Sequence, residues 1–300
     1  MVNPPRGRPG LAITHHGHSV VVEEPTGELC LCSVRRSAGR VVCGDRVHWQ
    51  AVADGRGVIV GHQPRTSVLT RPDARGRTRA LAANVDQMVI VTALEPALQE
   101  ALVDRYLVAA ARMGARALIV LNKWDLADAG AGRGPRQRLA EFSAIGYPVL
   151  LTSRHDPLTL EALGDQLRGR TSILVGQSGV GKSSLVGALL PGREIRIGQL
   201  SATGLGTHTT SATTLYHLPG GGDLIDSPGV RDFHPAPVSA EELLGGFPEL
   251  APWTGECRFH NCRHLNEPGC AVAGAAERGQ ISPRRLASYR RLRAELEATA

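Results

Sequence analysis

The stretch that decides the fold is ALIVLNKWD, Ala117–Asp125, in which an apolar run ends in the polar pattern Asn-Lys-x-Asp. A second stretch, GQSGVGKSS at Gly176–Ser184, is rich in glycine and follows another apolar run further along the chain. Both patterns therefore stand where a buried strand is predicted to end. Their order, with the polar tetrapeptide first and the glycine loop second, is the feature that the rest of the sequence has to explain.

The glycine-rich stretch fills every fixed position of the phosphate-binding pattern Gly-x4-Gly-Lys-Ser, and it lies between a predicted strand, TSILV, and a predicted helix, KSSLVGALL. Glycines let backbone N–H groups point at a phosphate, and the helix N-terminus adds partial positive charge. We expect Lys182 to bridge the β- and γ-phosphates and the Ser183 hydroxyl to ligate Mg²⁺. The predicted contacts in this loop are Gly176, Gln177, Ser178, Gly179, Val180, Gly181, Lys182, Ser183 and Ser184.

Two later segments match the elements that respond to a γ-phosphate. The segment DSPG begins at Asp226, whose carboxylate we expect to hold Mg²⁺ through water, and ends at Gly229, whose N–H would contact the γ-phosphate. Between it and the phosphate loop lies GLGTHTTS, Gly204–Ser211. Thr209 and Thr210 are both candidates for the threonine of this switch, and the sequence does not choose between them.

The tetrapeptide of the first stretch has the chemistry needed to select guanine. Asp125 would accept hydrogen bonds from the guanine N1–H and amino group, a donor pair that adenine lacks, so ATP should be rejected. We expect Lys123 to lie along the base and Asn122 to tie this loop to the phosphate loop. Thr152 and Ser153 end the next predicted strand, and Ser153 would support the base through its own loop.

The geometry of a parallel sheet explains the unusual order of the motifs along the chain. Four apolar strands alternate with helical segments near Asp104–Met113, Arg136–Ile145 and Leu158–Leu167, which predicts a parallel sheet covered by helices. Two more strands, TTLYHL and GDLIDS, follow the phosphate loop. Because such a sheet does not depend on the chain order of its strands, base-binding elements that precede the phosphate loop indicate a circularly permuted P-loop GTPase domain.

The flanking sequence predicts a multidomain protein. Short strand-like runs punctuated by Gly, Pro and Asp indicate an all-β, OB-type barrel ahead of the α/β domain. The barrel arginines either bind nucleic acid or form a solvated face, and the residues leave both possibilities open: Arg35, Arg36, Arg40 and Arg46. The predicted divisions are a disordered tail (1–10), the barrel (11–70), a basic linker (71–83), the permuted GTPase (84–235) and a helical zinc-binding domain (236–300).

Composition adds a weaker indication. The net charge of +6 and the sequence pI of about 9.3 suit a polyanionic partner, but on charge alone the better interpretation is that excess arginines solubilise the surface. Only two of the 34 Lys and Arg residues are lysines, Lys123 and Lys182, and each lies in one of the two motifs. We interpret this as a requirement for a compact ammonium group at both positions, which the broad planar guanidinium of arginine cannot replace. With no apolar run of about 18 residues and no charged-then-apolar leader, we expect a cytosolic protein.

Six cysteines fall into two groups. The first group is predicted to consist of packing residues: Cys30, Cys32 and Cys43. The second has the spacing Cys257-x4-Cys262-x-His264-x5-Cys270, and three thiolates with one imidazole suit a closed, structural Zn²⁺ site. His260 is an alternative imidazole, and buried free cysteines are the alternative interpretation.

These segments together resemble the RsgA/YjeQ/EngC family of bacterial ribosome small-subunit-dependent GTPases, in GDRV, ANVDQ, DRYLV, NKWD, GQSGVGKSSL, HTT, DSPGVR and CRFHNCRHLNEPGC. The resemblance covers nearly the whole chain. It implies an OB barrel, a permuted GTPase and a zinc domain that act late in maturation of the 30S subunit and contact 16S rRNA. It also implies a low intrinsic GTPase rate that the small subunit stimulates, and we expect a monomer. The Thr-Ser pair at 152–153, where the family often has Ser-Ala, and the Arg/Gly-rich linker depart from its pattern.

One catalytic position is unusual. Many GTPases place a water-orienting Gln directly after the Asp-x-x-Gly glycine, but Val230 stands there and cannot orient water. His208, in the His-Thr-Thr segment that the family shares, is our candidate for this role, and docking of the switch loop or contact with rRNA is the alternative.

Two other function classes are set against the GTPase. One is an ATP-using phosphotransferase, which Asp125 opposes. The other is a zinc-stabilised RNA-binding protein with a vestigial nucleotide site, which the intact Lys182 and Ser183 oppose.

Overall fold

The N-terminal strands form a closed five-stranded barrel. The computed structural model describes residues 7–16, 19–72, 77–127, 133–190, 213–227 and 239–299. The barrel strands are β1 (Arg8–His16), β2 (Ser19–Glu23), β3 (Leu29–Val34), β4 (Arg46–Ala51) and β5 (Gly57–His62). Their order is β1-β2-β3-β5-β4, β3 and β5 are parallel, and β4 pairs back onto β1 to close the cylinder. This is the connectivity of an OB fold and confirms the predicted barrel.

Alternation of buried and exposed residues explains why these runs form strands. In β5 every second residue is buried, and the barrel interior is filled by small branched chains around one indole: Val20, Val22, Val47, Trp49 and Ile59. Cys30 and Cys32 lie in this interior and Cys43 packs in the neighbouring core, so all three are buried, as predicted.

Two boundaries differ from the sequence-based division. The sequence pattern predicts that residues 8–10 belong to the tail, but Arg8 pairs with Trp49 and the strand continues from there, because β4 supplies hydrogen-bond partners for their backbone. The sequence pattern predicts a linker over residues 71–83, yet β6 (Val68–Pro72) and β7 (Thr78–Ala83) pair as an antiparallel two-stranded sheet. Small side chains in β7 hid the strand pattern, since alanine favours strands only weakly.

The second sheet carries the motifs. Its strands are β8 (Gln87–Ala93), β9 (Arg116–Asn122), β10 (Val149–Leu151), β11 (Thr171–Val175), β12 (Thr214–His217) and β13 (Asp223–Asp226). The order is β10-β9-β8-β11-β13-β12, parallel except for the antiparallel β12. Strand β11 lies between β8 and β13 although β9 and β10 precede it in the chain, as the permutation requires.

Helices cover this sheet and complete the chain. Those of the sheet domain are α1 (Glu100–Arg112), α2 (Arg133–Ala144), α3 (Pro157–Leu167) and α4 (Lys182–Leu189), and those that follow it are α5 (Ala240–Gly245), α6 (Ala251–Thr254), α7 (Ala271–Glu277) and α8 (Pro283–Thr299). Short 3-10 turns occupy Arg36–Ala38, Ala53–Gly55, Trp124–Leu126 and Pro248–Leu250. Among the described residues, no helix is both long enough and apolar enough to cross a membrane.

The barrel and the second sheet meet along one strand pair. Thr14 in β1 pairs with Thr214 in β12, and their hydroxyls lie 3.1 Å apart, so the two sheets form one sheet of eleven strands. Beside this pair His217 contacts Glu23 of the barrel and Asp223 of β13. The hydrogen bond to Asp223, with that to Glu23, raises the pKa of His217 to about 9 despite partial burial. The histidine is therefore a cation at neutral pH and links the barrel to the neighbouring domain.

A buried ion network attaches the C-terminal helices to α1. Arg285 of α8 is 1% exposed and donates to Asp104 of α1, which is 0% exposed, at 2.7 Å. The same guanidinium donates to Glu249 at 2.6 Å and to the Gly246 carbonyl oxygen at 2.7 Å, and it lies 4.1 Å from the centre of the Phe247 ring. Such a network joins three segments that are distant in sequence, and every charge in it has a partner.

Candidate nucleotide site and metal centre

The predicted nucleotide residues collect at one edge of the second sheet. Strands β9, β10, β11 and β13 are parallel, so their carboxyl ends lie together, and each is followed by one of the motifs. The folding of the parallel strands therefore assembles the site, because the segments that contact it are separate in sequence but neighbours at this edge.

The phosphate loop depends on glycines at two positions. Gly176 has φ 141° and Gly181 has φ 93°, and residues other than glycine rarely adopt these backbone conformations. A Cβ at Gly176 would lie 2.1 Å from the Val91 carbonyl oxygen. The Lys182 amine is buried at the start of α4 and donates to the carbonyl oxygens of Gly176 at 2.5 Å and Gln177 at 2.7 Å. These contacts hold the lysine inside the loop.

Asn122 connects the base loop to the phosphate loop. Its Nδ2 donates to the Val180 carbonyl oxygen at 2.9 Å, and its Oδ1 accepts from the Thr152 hydroxyl at 3.1 Å. A Cβ at Gly181 would lie 2.4 Å from that Nδ2, so the glycine also makes room for the amide. A buried side chain with both ends satisfied fixes the separation between three loops.

Asp125 is exposed and oriented by its neighbour. Its Oδ1 accepts from the Ser153 hydroxyl at 2.6 Å, and this hydrogen bond lowers the pKa of Asp125 below its usual value. The carboxylate is thus ionised at neutral pH and accepts hydrogen bonds only, which matches the two N–H groups on guanine. Lys123 has φ 58°, and its amine donates a hydrogen bond to the Glu95 carbonyl oxygen at 2.8 Å.

The remaining predicted residues divide by position. Ser178 and Gly179 are exposed in the phosphate loop, Ser183 and Ser184 are exposed in the first turn of α4, and Asp226 ends β13 half-buried. The predicted switch and catalytic residues lie outside the described residues: His208, Thr209, Thr210, Gly229 and Val230.

Sequence reasoning missed two supports of this site. The Glu95 carbonyl holds Lys123, and Thr159 of α3 accepts from the Ser153 N–H at 3.1 Å. A backbone carbonyl carries no sequence signature. Thr159 lies six residues after Ser153, in the first turn of α3, and this spacing does not correspond to any motif that the sequence could have revealed.

Four potential metal ligands converge in the C-terminal region. The ligand atoms of Cys257, Cys262, His264 and Cys270 all lie within 4.8 Å of one another. His264 Nδ1 is 3.5 Å from Cys257 Sγ and 3.6 Å from Cys270 Sγ. Zn–S and Zn–N bonds of about 2.3 and 2.05 Å at a tetrahedral angle give a separation of about 3.6 Å, so these residues fit Zn²⁺. His260, the alternative imidazole, is exposed and is not part of this cluster.

The backbone around the cluster is held by outer contacts. Glu267 accepts from the Arg263 and Leu265 N–H groups at 3.1 and 2.9 Å. Burial raises the pKa of this carboxyl, but its backbone hydrogen bonds and Arg263 outweigh that effect and bring the pKa to about 2. Arg290 of α8 donates to the His264 carbonyl oxygen at 3.0 Å. The ligand loop is therefore fixed from both sides, as expected of a structural metal centre.

A phosphate-loop motif and an Asn-Lys-x-Asp motif, in permuted order on a parallel sheet, define a circularly permuted GTPase, a hydrolase that acts on GTP. A family model described as RsgA GTPase matches residues 62–235. The chain belongs to the RsgA GTPase family.

Relatives along nearly the whole chain support this assignment. A Pseudomonas aeruginosa (strain LESB58) protein named "Small ribosomal subunit biogenesis GTPase RsgA" is 47% identical over 97% of this chain and 86% of its own length. A protein of the same name from Azotobacter vinelandii is 48% identical over 96% of this chain and 85% of its own length.

Solved structures agree with the fold. The crystal structure of YjeQ from Thermotoga maritima superposes with a TM-score of 0.78 at 32% identity, covering 96% of this chain and 98% of that one. The structure of YloQ, described as a circularly permuted GTPase, gives 0.76 at 28% identity over 98% and 96% of the two chains. The expected order of barrel, permuted GTPase and C-terminal helices is thereby confirmed.

Proposed function

We propose that this protein is a GTP-hydrolysing assembly factor that binds the small ribosomal subunit through 16S rRNA and assists its late maturation. The observation that carries the proposal is the similarity along almost the entire chain to proteins named for small-subunit biogenesis. The connected nucleotide site supports it, since Asn122, Asp125 and Lys182 are held by specific partners rather than left as remnants of a motif. Such a factor works in the cytoplasm and, in our proposal, as a monomer.

The guanine end of the site provides substrate choice. An ionised Asp125 accepts from guanine N1–H and the amino group, and Ser153 keeps the carboxylate in place. ATP presents an acceptor at N1 and leaves the carboxylate unpaired, which costs binding energy. The side chain of Lys123 flanks the base plane, since its amine is anchored on Glu95.

The phosphate end provides charge stabilisation. Backbone N–H groups of the loop and the N-terminus of α4 surround the β-phosphate, and Lys182 compensates charge on the β- and γ-oxygens. Ser183 and Asp226 are the residues that would hold Mg²⁺, which would supply charge neutralisation at these oxygens. Asn122 transmits base binding to the loop through the Val180 carbonyl.

Three further assignments belong to this proposal. His208 orients the attacking water because Val230 cannot, and Thr209 or Thr210 senses the γ-phosphate. Cys257, Cys262, His264 and Cys270 would hold one structural Zn²⁺ ion. The domain divisions are those given above, with the barrel extended to begin at Arg8 and the GTPase preceded by the β6–β7 hairpin.

Hydrolysis gives the protein its timing. We propose that the GTP-bound chain has the higher affinity for the subunit and that hydrolysis releases it. Turnover of GTP, measured with and without purified small subunits, tests this directly. We expect stimulation by the subunit, no competition by ATP, and loss of the stimulation but not of GTP binding in His208→Ala. Unstimulated turnover, or equal competition by ATP, would contradict the proposal.

A further inference from the structure

The loop between the first two cysteine ligands exposes an aromatic ring. Phe259 is 42% exposed, and among the described residues every other Phe, Tyr and Trp side chain is buried or half-buried. The chain contains only 4 Phe, 4 Tyr and 3 Trp residues in 300, so an aromatic placed in solvent is unusual here. Residues 258–261, Arg-Phe-His-Asn, are all exposed and are called the aromatic loop below.

The aromatic loop is held in a fixed position. Its first residue follows Cys257 and its last precedes Cys262, so both ends are attached to the cysteine cluster. The Cys262 N–H donates to the Phe259 carbonyl oxygen at 3.2 Å, and the Arg258 N–H donates to the Gly269 carbonyl oxygen at 3.0 Å. A ring displayed by such a loop loses little further freedom when it meets a partner.

The charge beside the ring favours an anionic partner. The Arg258 guanidinium lies 5.4 Å from the centre of the Phe259 ring, and among the described residues no carboxylate pairs with it. By contrast Arg263, at the far side of the cluster, is paired with Glu267 and Glu297. A flat ring, an uncompensated guanidinium and two polar side chains, His260 and Asn261, are the groups that stack and hydrogen-bond an unpaired nucleobase while contacting its phosphate.

We propose that the aromatic loop is a stacking site for an unpaired base of the small-subunit RNA, with Phe259 on the base and Arg258 on the adjoining phosphate. The inference rests on the proposed function, because it takes the RNA of the small subunit as the partner. It places the contact at one exposed ring between the first two cysteine ligands and names the side chain that meets the base.

The test uses full-length protein, purified small subunits and a non-hydrolysable GTP analogue. Phe259→Ala loses the stacking contact with one base, so it should bind the subunit roughly fivefold to a hundredfold more weakly than the original protein. Phe259→Tyr keeps the flat ring and should bind like the original protein. Phe259→Leu keeps apolar volume without a ring face and should behave like Phe259→Ala. Leu158→Ala, which truncates a side chain 75% exposed on α3, is the matched control and should change nothing.

Chemical probing of the rRNA at saturating protein identifies the contact. We expect an unpaired base to be protected by the original protein and by Phe259→Tyr, and reactive with the alanine and leucine variants. Zinc content and GTP turnover without subunits should be the same in all of them, since the ring is exposed. Full binding by Phe259→Leu with no change in base reactivity would indicate an apolar contact with a ribosomal protein and would overturn the inference, as would binding by Phe259→Ala within twofold. Absence of subunit binding by the original protein would instead overturn the proposed function.

Discussion

Removal of the Asp104 carboxylate tests how the C-terminal helices are attached to the GTPase domain. Asp104 is fully buried in α1 and accepts hydrogen bonds from Arg285 at 2.7 Å and from Arg284 at 2.7 and 3.2 Å. In Asp104→Ala both guanidinium groups lose this partner. Arg284 is partly exposed and keeps Glu141, so water can compensate it, whereas Arg285 is 1% exposed and cannot reach water.

The magnitude follows from what remains around Arg285. Breaking one side of a buried ion pair typically costs about 3 to 5 kcal/mol. Glu249 and the Gly246 carbonyl still satisfy part of the guanidinium, so we expect about 3 kcal/mol, at the lower end of that range. Asp104→Leu with Arg285→Met removes this pair of charges together, but Glu249, whose side chain is 7% exposed, also loses its partner, so the double variant should cost less than the sum of the two single changes.

Urea unfolding followed by circular dichroism, together with hydrogen exchange of α8, measures this cost. The matched control is Arg105→Ala on the same helix, because Arg105 pairs with Glu295 at the surface and such pairs contribute less than about 1 kcal/mol. If Asp104→Ala were no more destabilising than Arg105→Ala, or if the double variant lost the sum of the two single effects, the buried network would not be what attaches α8 to α1.

Three further predictions address the two sites and the domain junction. Asp125→Asn should weaken GTP binding by roughly a hundredfold or more, since it replaces charge-assisted hydrogen bonds, and should favour xanthosine triphosphate; unchanged guanine preference in a competition titration would contradict the assignment of Asp125. Cys262→Ser should lower the zinc content below the one ion per chain that we propose, and chelation should unfold the C-terminal helices in circular dichroism while the intrinsic GTPase rate persists; a metal-free protein with normal helices would argue against a structural ion. His217 has a pKa raised to about 9 from 6.5, so its stabilising effect is complete below about pH 6.5 and lost as the pH rises towards 9; the melting temperature difference between the original protein and His217→Asn should shrink over that interval, and a constant difference would count against the cationic contact.

The parts that could be predicted from the sequence are those determined by local pattern. The Gly-x4-Gly-Lys-Ser stretch needs a strand before it and a helix after it, and β11 and α4 supply both. The Cys/His spacing predicts the metal cluster because all four ligands lie within one short segment. The permutation could be predicted because strand ends carry the motifs and a parallel sheet fixes where strand ends lie.

The parts that could not be predicted depend on pairing between distant segments. Asp104 and Arg285 look like ordinary helix residues, and only the packing of α8 against α1 makes both of them buried. The pairing of β6 with β7 could not be predicted, because their arginines and alanines show little alternation of apolar and polar residues. His217 had no motif, and its partner Glu23 lies in another domain.

The strand pair Thr14–Thr214 has a consequence for solubility. An open parallel sheet has two edges that can pair with another chain and start aggregation. One edge of the GTPase sheet is β10, which has only three residues, and the other, β12, pairs with β1 of the barrel at Thr214. Because β4 pairs with β1 and closes the barrel, the barrel has no free edge strand of its own at this junction. The N-terminal domain thus shields its neighbour from edge-to-edge association, and a GTPase domain expressed without it would expose β12 to other chains.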